Sequence, residues 1–254
     1  MERDPTAGLV LQSRKGEVSR TPPAFSQEEL RRLFQTPLYA GYKSAKRVAE
    51  PGNCHTRNGQ WWAGVLLIHS GIRAGELAQL LPADFDFDAA VPHLKVRTDD
   101  GEGNRIKTTK NIASVREVPL SGALLQLGIV EFVAARSKVL PKGRIFREFR
   151  LGTGGRSSDG MTKFWAAYFK KFGLWKEGRA THVARHTFIA CLRANDVPEE
   201  DIAAVVGHTR QTVTAGYGGA YPLTRKRKIL DRLDFGFDVV EALGGHYDKS
   251  LHGI

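Results

Sequence analysis

Apolar side chains recur at helical spacing over most of the chain, and one stretch near the middle breaks that rhythm. Residues 1–23 are polar, end in "TPP", and read as a tail or linker. A first helix is predicted from "AFSQEELRRLF", where Ser26 and Glu29 have capping-box spacing and Phe25 is placed to staple onto Leu30. Residues 41–60 are polar and hold Pro51, so they read as a loop. "WWAGVLLIHS" follows as a buried helix broken at Gly71, and "RAGELAQLL" as a second helix that stops before Pro82.

The texture then changes. "HLKVRT", "NRIKTT" and "SVREVPL" are short, rich in β-branched residues and partly alternating, with "DDGEGN" and "TKNIA" between them. They predict three antiparallel strands. From residue 121 helical spacing returns in "GALLQLGIVEFVAAR", "MTKFWAAYFKKFG", "HVARHTFIACLRAN", "PEEDIAAVVG" and "PLTRKRKILDRL". "LGTGGRSSDG" lacks the lysine and spacing of a nucleotide-binding loop and reads as a connector. No internal repeat is visible. The expected class is α+β, mostly helical, with a small three-stranded antiparallel sheet inserted in a helical core.

Composition narrows the partners. The chain has 254 residues, 41% of them hydrophobic, which suits a globular core. Lysine and arginine number 38 against 27 acidic residues, a formal charge of +11. That excess makes nucleic acid the leading partner class. Cys54 and Cys191 show no pairing pattern, as suits a reducing compartment. The N-terminal residues lack the apolar run of a signal peptide, and "WWAGVLLI" is too short to span a bilayer, so no membrane role is expected.

Four polar stretches at element ends carry candidate chemistry. In "HSGIRAGEL", Arg73 stands at a helix junction with Glu76 three positions on, close enough to hold the guanidinium. The hairpin "RIKTTKNIASVREVPL" places Lys107 and Lys110 at or near a turn. In "THVARHTF", Thr181 is the expected N-cap, and His182 and Arg185 share a face. His182 and His186 have a spacing that could bind metal, but the glutamate of the zinc-protease pattern is missing, so no metal site is expected and His186 reads as a buried histidine. In "AVVGHTRQTVTAGYGGAY", Gly207 ends a helix before His208, with Tyr217 and Tyr221 beyond it. Two arginines, a lysine, histidines and a tyrosine suit phosphoryl transfer. Arginine forks match phosphate oxygens, histidine or lysine moves protons, and tyrosine can form a covalent phospho-enzyme.

These four stretches, in this order, resemble the boxes of the tyrosine recombinases, or phage-type integrases, which share their core with type IB topoisomerases. The likeness runs from about residue 25 to about 235. It implies the DNA breaking-rejoining fold, with Arg73 and Arg185 clamping a DNA phosphate, His208 hydrogen-bonding it, and His182 helping to move the tyrosine proton. Tyr217, 217 − 208 = 9 residues after His208, would be the nucleophile, leaving a 3′-phosphotyrosyl link and a free 5′-hydroxyl. Tyr221, before Pro222, would only pack. The hairpin lysine would protonate the leaving oxygen; Lys107 stands in a family-like "KT" pair and is favoured, while Lys110 is nearer the expected distance from Pro119. Ala184 replaces the usual leucine of the third box.

The resemblance further implies double-stranded DNA as substrate, a homotetramer on DNA, accessory DNA-bending proteins, no cofactor or metal, and a nucleoid location in the cytoplasm of a bacterial or phage-infected cell. Residues 24–254 would form the catalytic domain, without the N-terminal clamp domain usual in the family. The C-terminal segment "LTRKRKILDRLDFGFDVVEAL" would dock onto a neighbouring subunit or else pack on its own domain, and its run Arg225–Lys228 would face phosphate. Rival readings are a topoisomerase-like DNA relaxation and a non-catalytic DNA-binding protein on the same fold.

Overall fold

The computed structural model describes residues 24–100, 102–104, 107, 115–152, 157–176, 180–208 and 221–245. Helix α1, Gln27–Phe34, starts as its capping box requires: the Ser26 hydroxyl accepts from Glu29 N at 3.1 Å, and Glu29 Oε2 accepts from Ser26 N at 2.9 Å. The preceding residue, Phe25, is buried, and its N–H donates to Thr187 Oγ1 at 2.8 Å. A short α2, Pro37–Ala40, leads into the expected loop, which Tyr42 pins by bridging to Pro51 and Cys54.

Helix α3, Gly59–Ser70, is the axis of the core, because eleven of its twelve residues are buried. Asn58 caps it through Oδ1, which accepts from Gln60 N at 2.9 Å and Trp61 N at 3.0 Å. A helix apolar all round is stable only inside, where each large side chain contributes about 1.5–3 kcal/mol. Gly71 ends it with φ +60°, and a Cβ there would stand 2.6 Å from the Phe188 ring, so glycine is required by both backbone and packing. Helix α4, Ala74–Leu77, is shorter than the nine residues of "RAGELAQLL", and a 3-10 turn at Pro82–Asp84 follows.

Three antiparallel strands follow in the order β1 (Phe85–Asp86), β2 (His93–Val96), β3 (Arg116–Pro119), with Leu94 opposite Phe85 on one side and Val118 on the other. The expected middle strand "NRIKTT" falls mostly outside the described residues, and among those residues the sheet has three strands. Its first strand is the two-residue Phe85–Asp86, whereas Asn104 and Lys107, the described members of the expected middle strand, lie outside any strand. The helix expected from residue 122 is two helices, α5 (Gly122–Gln126) and α6 (Ile129–Val139), parted where Gly128 takes φ +91°.

Helices α7 (Asp159–Lys171), α8 (His182–Ala194), α9 (Glu199–Val206) and α10 (Leu223–Leu230) match the predicted periodic segments, and α11 (Val239–Ala242) closes the described chain. Thr181 does precede α8, yet its backbone is already helical and its hydroxyl makes no cap bond, contrary to expectation. Helix α8 packs on α3, and α9 packs on both α8 and β3. This brings the end of α3, the start of α4, β3, α8 and the end of α9 to one place.

Candidate active site

That meeting point is built from arginines. Arg73 is the residue before α4, and its backbone N–H and its Nη1 both donate to Glu76, at 3.0 and 2.8 Å. The predicted Arg73–Glu76 pair is thus real, but Glu76 does more. It is buried, and its Oε2 also accepts from Arg116 Nη2 at 3.0 Å. Burial pushes the Glu76 pKa up, but Arg116 and then Arg73 outweigh it and hold the carboxyl below its ordinary value. Glu76 is therefore an anion at neutral pH, shared between two guanidinium groups.

Arg185 lies one turn into α8 and is 4% exposed. It donates through Nη1 to the Gly71 carbonyl, at the end of α3, and through Nη2 to the Val206 carbonyl at 2.8 Å. Among the described residues it meets backbone oxygens rather than a carboxylate. Burial first, then repulsion from Arg73 and Arg116, pulls its pKa down to about 9, with Glu76 opposing. A group so perturbed gains most from an anion brought beside it.

His208 leaves α9 at the exposed edge of this cluster. Burial of its ring and the fields of Arg185, Arg73 and Arg116 lower its pKa, so the imidazole is neutral at pH 7. Arg73, Arg185 and His208, predicted from three separate stretches, are therefore brought together. His182 is exposed at the first position of α8, its ring 6.4 Å from that of half-buried His186.

Lys107 takes a different place. It is 6% exposed, and Nζ donates to both oxygens of the fully buried Asp84. Asp84 also accepts from Arg97 Nε at 2.6 Å and Leu81 N at 2.8 Å. Tyr217 and Lys110 lie outside the described residues, as do the glycines around Tyr217.

The basic run on α10 is largely committed to the protein itself. Arg225 pairs with Asp201 at 2.8 Å and stacks over the Tyr221 ring at 4.5 Å, in keeping with the packing role expected of Tyr221. Lys226 is buried and donates to the Glu117 carbonyl at 2.9 Å, and Arg227 pairs with Asp231 at 2.7 Å. Lys228 is exposed.

Arg116 and Asp84 had no place in the sequence reading of the site. Arg116 was nonetheless signalled: in strand "REVP" it shares the inward face with Val118, while Glu117 points out. An arginine on an inward strand position requires a buried partner.

The model of the phage integrase family matches residues 24–222, a span that includes all four stretches. Comparison with curated proteins gives no match. Among solved structures, the integrase from mycobacterium phage Brujita matches with a TM-score of 0.51 at 17% identity, covering 89% of this chain and 64% of that one. XerA recombinase matches with a TM-score of 0.48 at 18% identity, covering 87% and 62%. The Tn1549 transposon integrase, solved with transposon right end DNA, matches with a TM-score of 0.47 at 20% identity, covering 85% and 67%. The chain thus spans less than two thirds of the length of the first two. With the family model matching most of its length and the arginine cluster assembled from its matched stretches, the chain belongs to the phage integrase family.

Proposed function

We propose that this chain is the catalytic part of a site-specific recombinase that cuts and rejoins double-stranded DNA through a phosphotyrosyl link. The observation that carries the reading is the cluster in which Arg73 and Arg116 share the single carboxylate of Glu76 while buried Arg185, beside them, rests on the Gly71 and Val206 carbonyls with its pKa drawn down to about 9. Planar arginine forks match the oxygens of a phosphate, and developing charge on those oxygens is what such a preorganised cluster stabilises.

In the proposed step the Tyr217 oxygen attacks the DNA phosphorus and loses its proton, with His182 helping to move it. The bond from phosphorus to the 5′-oxygen breaks, and its electron pair stays on that oxygen, which takes a proton from a lysine. Arg73 and Arg185 hold the non-bridging oxygens, and neutral His208 hydrogen-bonds one of them. The bond energy is kept in the phosphotyrosine, so rejoining to another 5′-hydroxyl needs no nucleotide cofactor. For the proton donor, the burial of Lys107 on Asp84 favours Lys110, because Lys107 already directs its ammonium at both carboxylate oxygens. A tetramer on DNA would pair the cuts, and accessory DNA-bending proteins would shape the substrate.

The test is covalent capture. A pool of randomised duplexes, each nicked so that the freed 5′ fragment diffuses away, is incubated with the chain in EDTA. An SDS-stable adduct is expected, mapped to Tyr217, lost in Tyr217→Phe and kept in Tyr221→Phe. No adduct from any duplex, or an adduct that survives Tyr217→Phe, overturns the proposal. Relaxation of supercoiled plasmid with no strand exchange between selected duplexes would instead favour a topoisomerase-like activity.

A further inference from the structure

The last two carbonyls of α9 and that of the Gly207 that ends it are each taken by an arginine from a different element. Val205 O accepts from Arg116 Nε at 3.0 Å, Val206 O from Arg185 Nη2 at 2.8 Å, and Gly207 O from Arg73 Nη2 at 3.4 Å. A helix leaves its final carbonyls without partners of its own, and its negative end attracts cations. Arg73 and Arg185 already have roles on the phosphate. Arg116 has none.

Its surroundings point to one. The side chain is 5% exposed and bridges two elements, donating Nη2 to Glu76 Oε2 at 3.0 Å and Nε to Val205 O. Gly207 lies flat against it: a Cβ at 207 would stand 2.9 Å from Arg116 Cδ and 3.1 Å from Nε and Nη1. Gly207 also takes φ +70°, so the helix turns out of α9 directly over this guanidinium. The next residue is His208.

We propose that Arg116 is a positioning residue: by locking the end of α9 to Glu76, it fixes where the chain carrying His208 and Tyr217 leaves the arginine cluster. The proposal rests on the reading of Tyr217 as nucleophile. Nine residues reach up to about 30 Å when extended, so the approach of the tyrosine depends on its anchor. Lysine cannot replace the anchor, because one ammonium lacks the two fixed N–H directions that serve Glu76 and Val205 together.

The experiment uses Arg116→Met and Arg116→Lys with a duplex recovered from the randomised pool. Single-turnover cleavage at saturating duplex is expected to fall about 10- to 100-fold in Arg116→Met, the scale of a small misplacement of reacting groups. Arg116→Lys should also stay below wild type, with the duplex Kd in both variants within about threefold of wild type, since the phosphate-binding arginines remain. Amide exchange at Gly207 and His208 should quicken, with that of Leu66 and Leu67 in α3 unchanged. Wild-type cleavage by Arg116→Met overturns the proposal, as does full recovery in Arg116→Lys, which would leave only charge to explain. So does a joint loss of rate, affinity and exchange protection throughout, the mark of a merely structural residue. If the wild-type chain yields no adduct, the phosphotyrosine reading fails, while the exchange comparison still reports whether Arg116 holds the end of α9.

Discussion

Two buried carboxylates in this molecule each gather more than one cation, and they end in opposite states. Asp84, fully buried, receives Lys107 on both oxygens, Arg97 on one and the Leu81 amide on the other. That cluster is closed, with donors and acceptors directed at each other. Glu76 instead serves Arg73 and Arg116 directly and Arg185 through its field, while Arg185 rests on helix-end carbonyls with its pKa drawn down to about 9. That cluster is open, since an added anion relieves the repulsion among its guanidinium groups. A basic side chain is thus classified less by its motif than by whether a fixed anion already satisfies it.

The largest effect that sharpens this contrast is on stability. Lys107→Met leaves Asp84 buried with half its compensation and is expected to destabilise the fold by about 3–5 kcal/mol, read from urea melts. Changing Asp84 to Asn in the same chain should recover part of that loss, because the buried charge is removed while an oxygen acceptor remains beside Arg97 and the Leu81 amide. A Lys107→Met protein as stable as wild type would break the closed-cluster account.

A smaller effect should come from anions. Sulfate in place of chloride at equal ionic strength should raise the Tm of the wild type more than that of Arg185→Gln, by linkage to the folded state. Equal shifts in the two proteins would mean that the cluster holds no tetrahedral anion.

Smallest is a titration. His208 has its pKa lowered by burial and by the cluster arginines, so on acidification it should take up its proton below the ordinary histidine range. The unfolded chain protonates first, so this group removes stability as pH falls through the ordinary value toward the folded one. By NMR the midpoint should move up in Arg185→Gln and stay in place in Lys107→Met. Movement in both, or in neither, would dissolve the distinction between the clusters.

What the sequence told and what it withheld divide along the same line of local and distant physics. The start of α1 was legible because Ser26 and Glu29 cap each other three residues apart. The ends of α3 and α9 were legible because Gly71 and Gly207 supply left-handed turns. Arg73 and Glu76 were legible as a pair because they stand three positions apart. The strand Phe85–Asp86 was not, since two residues carry no period and exist as a strand only through Leu94 and His93. The burial of Lys107 depends on Asp84, 23 positions earlier, and the place of Arg116 depends on Glu76 and on Val205, 89 positions later. No spacing along the chain encodes those contacts. The site was recognised because resemblance supplied the order of its boxes, while the division of labour among its basic residues needed the fold.

The most direct test of that division is single-turnover cleavage of one selected nicked duplex by Arg185→Gln and Lys107→Met side by side, each rate normalised to the folded fraction. The open cluster predicts a loss of about 10²–10³-fold in Arg185→Gln, the scale of one lost transition-state donor, and a rate within about threefold of wild type in Lys107→Met. A folded Lys107→Met protein as slow as Arg185→Gln would contradict the account, because the lysine held by Asp84 would then be the one that donates the proton.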